Sequence, residues 1–378
     1  MSLNNNKILY LYFNARKERI TKNEINPSEF FYGYDYFYKL DFAVSAMEFD
    51  GKPIKFLTKI LLKIQKLILK VTKFQYDFAG IFKSGKFKEI ISNDVLIISN
   101  NRIAHSILPA LIFMKFKKKK CKTIVIAMGI FNFPKNRLLK KIHLSLNSLL
   151  LRYIDYLVFI GKKEYQYALQ NFDKHNSKIT FIPFGVDSEF WKSKKIDKKE
   201  KKSILFIGND SNRDFDFLIN FIAKNPDEDF VIVTEYFEEE YIEKLNLNNL
   251  TFYKGSWNKK ILTDDFLKKL YEDSKVTLVP LKNSIQPSGQ SVSLQSISMK
   301  TPVIITKTDG FWDTEFFENK KNIFFAQNNS IEEWQSLLNE LLSSDNIYSD
   351  IQSAGRNLIV EKFDVQNFNK RLHELLED

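Results

Sequence analysis

The groups best able to do chemistry in this sequence are uncharged hydrogen-bond donors and one arginine, held in two short loops. The first loop lies inside Val276–Thr306, VTLVPLKNSIQPSGQSVSLQSISMKTPVIIT. Lys282 opens the loop. Ser288, Gly289, Gln290 and Ser291 stand where an apolar strand pattern gives way to a helical one. A helix start carries free N–H groups and a partial positive charge, which suits a phosphate, and glycine lets a ligand approach the backbone. Serine and glutamine add neutral donors. The second loop, Gly208-Asn209-Asp210-Ser211-Asn212-Arg213-Asp214, follows the strand-like SILFI. The Arg213 guanidinium offers a fixed fork of donors to a diphosphate. Two plainer readings stand beside these: Ser288-Gly289 as an ordinary cap and turn, and Arg213–Asp214 as a surface pair. No His, Cys, Asp or Glu set has metal-ligand spacing, so no metal site and no bound cofactor is expected.

These loops need strands and helices to hold them. Val276–Leu281, the loop Lys282–Ser288, a helix over Gly289–Met299 and Val303–Thr306 make a βαβ unit, and ligands bind beyond the C-terminal ends of such strands. Further strands are predicted at Lys7–Phe13, Phe42–Glu48, Asp94–Ser99, Thr123–Ala127, Tyr156–Ile160 and Ile179–Pro183, then at Ser203–Gly208, Phe230–Thr234, Leu250–Tyr253 and Ile323–Phe325, with helical stretches between. Lys192–Lys202, KSKKIDKKEKK, is a charged linker with little to bury. The expectation is α/β: two doubly wound, Rossmann-like domains, residues 1–191 and 203–364, on either side of a linker at 192–202. The aromatic segment Pro27–Tyr38 is expected to pack partly into the core.

Composition narrows the partners. The 378 residues carry a net charge of +11 and one cysteine, Cys121, so an intrachain disulfide is excluded. Neither a signal peptide nor a run of apolar residues long enough to span a bilayer is read, which points to a cytoplasmic protein. The basic excess favours anionic partners. Nucleic acid is disfavoured because no recognition motif accompanies the lysines. Ile54–Phe74 reads as one helix with Lys55, Lys59, Lys63, Lys66, Lys70 and Lys73 on a single face, and with Leu67 and Ile68 among the apolar residues opposite. That face is either solvated or a contact with anionic lipid, which would make the protein peripheral on the cytoplasmic side of a membrane.

The βαβ segment resembles the donor-binding unit of the GT-B glycosyltransferases, in particular the family 4-like retaining enzymes, whose pattern is P-S-x-x-E-x-x-G-x-x-x-x-E-A-M-A-x-G-x-P-V-I-x-T. Phe184-Gly185-Val186-Asp187 with Phe190-Trp191 is similar to the string that ends their N-terminal domain, and Gly208–Asp214 to their glycine loop. The resemblance implies two domains facing across a cleft, with a last helix, 365–378, packing back on the first. It implies transfer of a sugar from a nucleotide diphosphate, a UDP-sugar above all, to a hydroxyl acceptor, without metal. The basic helix adds a lipid or lipid-linked cell-envelope glycan, such as lipopolysaccharide or a glycolipid, as the acceptor class. The implied donor site comprises Gly208, Asn209, Asp210, Arg213, Ser256, Trp257, Lys282, Ser288, Gly289, Gln290, Ser291 and Gln295, with Trp257 as a base-stacking candidate. Two departures stand out. Gln295 replaces the glutamate that holds the ribose, and Gln286, Pro287 and Gln290 lie where an earlier glutamate is usual. No catalytic residue can be named. The rival readings are a non-catalytic nucleotide-sugar or lipid-binding module and a nucleotide-sugar epimerase. The sequence leaves the oligomeric state open.

Overall fold

The computed structural model describes residues 6–13, 15–21, 26–49, 63, 65–70, 76, 86–131, 133, 136–193, 201–256 and 261–377. The chain divides into two units. One comprises residues 1–24, 30–183 and 369–378, the other residues 25–29 and 184–368.

In the first unit the order is β1 (Lys7–Phe13), α1 (Arg16–Thr21), α2 (Tyr34–Lys39), β2 (Ala43–Phe49), α3 (Lys86–Ser92), β3 (Val95–Ile98), α4 (Asn101–Ser106), α5 (Leu108–Phe116), β4 (Lys122–Ala127), α6 (Arg137–Leu151), β5 (Tyr156–Phe159), α7 (Lys162–Asn171) and β6 (Ile179–Phe181). The sheet order is β2-β1-β3-β4-β5-β6, with every described pairing parallel. Strands covered on both faces need apolar residues on both, and β1 (KILYLYF) and β3 (VLII) supply them. The aromatic segment splits at Gly33, whose φ of 88° favours glycine. Phe31, Tyr32 and Phe37 are buried while Tyr38 is exposed. Tyr10 and Tyr12 donate to the Tyr32 and Phe31 carbonyls at 3.0 and 2.6 Å. Residues 369–377 cap this packing: His373 stacks edge-on with Tyr36, Phe37 and Phe42, and Lys122 Nζ donates to the Leu375 and Leu376 carbonyls.

The second unit holds β7 (Ser203–Ile207), α8 (Phe215–Ala223), β8 (Asp229–Thr234), α9 (Glu239–Lys244), β9 (Leu250–Lys254), α10 (Asp264–Asp273), β10 (Ser274–Val279), α11 (Gln290–Ser298), β11 (Val303–Thr306), β12 (Phe324–Ala326), α12 (Ile331–Ser343) and α13 (Asp345–Lys362). A last helix, α14 (Val365–Glu377), follows. The sheet order is β12-β11-β10-β7-β8-β9, again parallel. The chain winds one way from β7 and the other way from β10, so the crevice between their C-terminal ends is the topological switch point. Helix starts are capped locally: Ser330 accepts from Glu333 N, and the Glu333 carboxylate accepts from Gln327 N and Asn328 N. α11 ends in a Schellman turn. Thr301 N donates to Ser296 O, Lys300 N to Ile297 O, and Lys300 itself has φ 55°.

The division of the chain falls at Pro183–Phe184, ahead of the charged linker, because Gly185–Trp191 packs onto the second unit. Val186 bridges Asp364, the Trp191 ring meets Tyr271 at 5.7 Å, and Ser298 Oγ donates to Trp191 O. The long basic helix is described only at residues 63 and 65–70. There Lys63, Lys66 and Lys70 are exposed as expected, but Leu67 is 62% exposed and Gln65 is buried, so the apolar stripe does not face inward throughout. Lys55, Lys59 and Lys73 lie outside the described residues.

Candidate functional site

The two loops singled out in the sequence meet at the switch point of the second unit. Their backbones are joined: Asp214 N donates to Pro280 O at 3.0 Å and Lys282 N to Asn212 O at 2.7 Å. Asn212 Nδ2 donates to Ser288 Oγ at 2.7 Å, tying the glycine loop to the start of α11. Asn209 holds the rim, with Nδ2 on Gly255 O and Oδ1 accepting from Thr234 Oγ1.

Arg213 fills the space between the loops. It is 3% exposed, and Asp210 Oδ2 sits 2.9 Å from its Nε. Its Nη1 has no hydrogen-bond partner. Two glycines make room for it. A Cβ at Gly208 would lie 2.4 Å from Arg213 Nε, and one at Gly289 would lie 3.1 Å from Nη1 and 2.5 Å from Val279 Cγ1. Gly289 also has φ 74° and forms the N-cap of α11 without a side-chain cap. A buried guanidinium with an unused N–H, next to an uncapped helix start, is an arrangement that an anion completes.

The remaining expected residues fall as follows. Ser288 and Gln290 are buried and Ser291 is half-buried at the start of α11. Lys282 is exposed and Ser256 buried at the rim. Trp257 lies outside the described residues. Gln295 is one turn further into the helix, and both ends of its amide are engaged: Oε1 accepts from Tyr271 OH at 3.1 Å and Nε2 donates to Glu29 Oε1 at 3.0 Å. A ribose contact from this side chain requires one of those bonds to be exchanged.

Glu29 was not foreseen, and no local motif marks it. Its carboxylate also accepts from Trp191 Nε1 at 2.7 Å and Asp187 N at 3.1 Å. Burial pushes its pKa up to about 7 despite these donors. The family pattern places a carboxylate at position 295. Here a carboxylate stands 3.0 Å from the Gln295 amide instead, contributed by a segment far away in sequence. In the first unit Glu164 is similarly buried at the start of α7. It accepts from Ile130 N at 3.0 Å, and burial raises its carboxyl to about 8. His105 has its Nδ1 2.7 Å from Asn101 O, and burial lowers its pKa to about 4, which fits an internal hydrogen-bonding role. Among the described residues no three His, Cys, Asp or Glu side chains are grouped to hold a metal ion, and no helix is long and apolar enough to cross a membrane.

Residues 187–358 match the family described as glycosyl transferases group 1. No curated protein matches the sequence. Among solved structures, HepE from Anabaena, crystallised with UDP, superposes with a TM-score of 0.64 at 14% identity over 98% of this chain and 99% of that one. Sucrose-phosphate synthase from Thermosynechococcus elongatus gives 0.69 at 13% over 98% of each chain. A glycosyltransferase from Rickettsia africae gives 0.63 at 15% over 99% of this chain and 98% of that one. These similarities establish the GT-B fold, and the matched family spans both loops of the switch-point crevice. The chain has the GT-B fold, and its residues 187–358 match the glycosyl transferases group 1 family.

Proposed function

We propose that the protein transfers a sugar from a UDP-sugar to an acceptor hydroxyl with retention at the anomeric carbon. The observation that carries this reading is the unpartnered Nη1 of buried Arg213 beside the N-terminus of α11. HepE is a structural relative crystallised with UDP-glucose, and the same nucleotide fits the chemistry of this crevice. The diphosphate sits at the start of α11, near Ser288–Ser291, with Arg213 offsetting its charge and exposed Lys282 adding long-range attraction. As the bond between the anomeric carbon and the diphosphate oxygen breaks, negative charge grows on the phosphate these groups face. The acceptor oxygen bonds to the anomeric carbon on the same face, and its proton passes to the departing phosphate. This route needs no protein base and no metal, and it accommodates the loss of the early glutamate at Gln286–Gln290.

The acceptor is a lipid or lipid-linked glycan hydroxyl, for which the net charge of +11 is the supporting feature. Incubation with a panel of UDP-, GDP-, ADP- and CMP-sugars and a lipid-linked glycan extract tests the whole reading. UDP release that requires the acceptor and yields an α-linked product from an α-linked donor supports it. Release from a different nucleotide class, or inversion, overturns the corresponding part.

A further inference from the structure

We propose that one helical face of the first unit is a docking surface for an anionic lipid bilayer. The chain passes from β2 to β3, β4 and β5 in a single direction along the sheet. Right-handed crossovers taken in one direction lie on one face, so residues 65–70, α3, α5 and α6 share a face, while α1 and α2, joining β1 to β2 in the opposite sense, lie on the other. Phe87 of α3 meets Phe113 of α5 at 5.5 Å, as that placement requires.

This face has an unusual charge pattern. From Val95 to Ile154 the sequence contains 12 Lys and Arg residues and no Asp or Glu; the acids nearest them are exposed Glu89 of α3, and Asp94 and Asp155, which line one cavity with Lys115, Lys119 and Lys120. At the end of α5, Lys115, Lys117, Lys118 and Lys120 are exposed, and none forms an ion pair with a described residue. In the second unit Lys254, Lys275, Lys320 and Lys321 are each matched by a glutamate within 2.5–2.9 Å, while Lys224, Lys244, Lys269 and Lys307 are exposed without an ion pair to a described residue. A surface that only needs to stay soluble mixes both signs; here the exposed lysines at the end of α5 outnumber the acids beside them.

Apolar side chains stand among these lysines. Phe116 is 80% exposed and Leu138 67% exposed, with Ile112, Phe113 and Ile142 beside them in their helices. Apart from Tyr38 and Leu40, every large apolar side chain that the first unit leaves exposed among the described residues comes from this face. Lysines without counter-charges fit any polyanion. Exposed phenylalanine and leucine among them fit the headgroup–acyl boundary of a bilayer, where the ammonium groups meet lipid phosphate and the apolar tips enter hydrocarbon. The proposal deepens the lipid-acceptor part of the proposed function, but it stands on the first unit alone and does not depend on the donor site.

The test is flotation of the full chain with vesicles of phosphatidylcholine, with and without phosphatidylglycerol, at low and high salt. Binding is expected only when phosphatidylglycerol is present, and to be weakened by salt. Each exposed lysine is worth roughly five-fold in partition near an anionic surface, so Lys117→Gln/Lys118→Gln/Lys120→Gln should weaken binding on the order of a hundred-fold. Phe116→Ser should weaken it roughly ten-fold. A control, Lys320→Gln/Lys321→Gln/Lys362→Gln, removes equal charge from the second unit and should keep nearly full binding. Absence of flotation, or equal loss in the two triple variants, overturns the proposal. Duplex DNA that strips the protein from vesicles, with an affinity unchanged by Phe116→Ser, replaces the bilayer with a polyanion. UDP-sugar turnover that persists in a variant no longer binding vesicles shows that the docking face and the donor site are separate, as expected. Loss of UDP binding in that variant would mean the face does not act independently.

Discussion

Glu29→Gln should flatten the pH dependence of stability in the second unit. The Glu29 carboxyl is buried among Trp191, Gln295 and the Asp187 amide, and its pKa rises from 4.5 to about 7 on folding. The native state therefore holds a proton that the unfolded chain has already released between these values, so stability falls as pH rises through that window and levels off above it. A shift of this size corresponds to a loss of about 2.5 kcal/mol between pH 5 and pH 8. Glutamine cannot ionise, so the variant lacks this component. It carries a pH-independent cost of about 1–2 kcal/mol instead, because its NH2 group faces a donor. Glu164, raised to about 8 by burial, titrates identically in both proteins and cancels in the difference. Urea unfolding followed by tryptophan fluorescence isolates the relevant unit, since all four tryptophans lie between residues 184 and 368. The wild type should lose its advantage over Glu29→Gln as pH rises from 5 to 8. Parallel curves across that range would show that Glu29 does not titrate there and that the buried network is not proton-linked.

Three further substitutions probe the packing around the site. Gly208→Ala puts a methyl group 2.4 Å from Arg213 Nε, so it should displace that side chain and weaken UDP binding about ten-fold, measured by calorimetry, with the melting temperature of the free protein little changed. Lys300→Gly relieves a left-handed residue at the end of α11 and should raise unfolding free energy by about 0.5–1 kcal/mol in urea titration. Gly355→Ala brings a Cβ to 2.7 Å from Ile297 Cγ2, where α13 rests on α11, and should cost about 1–3 kcal/mol by the same assay, despite the better helix propensity of alanine.

Strand order and helix alternation were legible because parallel strands buried on both faces leave long apolar runs, as in β1, β3 and β11. The start of the helix Asp264–Asp273 is marked by Thr263, whose side chain accepts from Phe266 N, whereas Gly161 before Lys162–Asn171 gives no side-chain cap. The two loops that meet at the switch point were legible through Ser288-Gly289 and Arg213, where a glycine and a charge sit at strand ends. What escaped was non-local. Nothing around Glu29 predicts that its carboxylate meets Gln295, since that contact joins positions 266 residues apart. Asn212, which holds Ser288, looked like one more polar loop residue until the loops were seen together. The exposed Leu67 departs from the stripe that helical spacing suggests, because spacing gives a face but not which face the fold covers.

Arg213 and the start of α11 are proposed to bind the diphosphate of the donor. Titration of the wild type and of Arg213→Ala with UDP, by isothermal calorimetry with thermal stability read in parallel, tests it most directly. A charge-assisted bond of about 1.5–3 kcal/mol predicts that the variant binds UDP roughly ten- to a hundred-fold more weakly while remaining folded. Equal UDP affinity in the two proteins would contradict the account and move the donor away from the switch-point crevice.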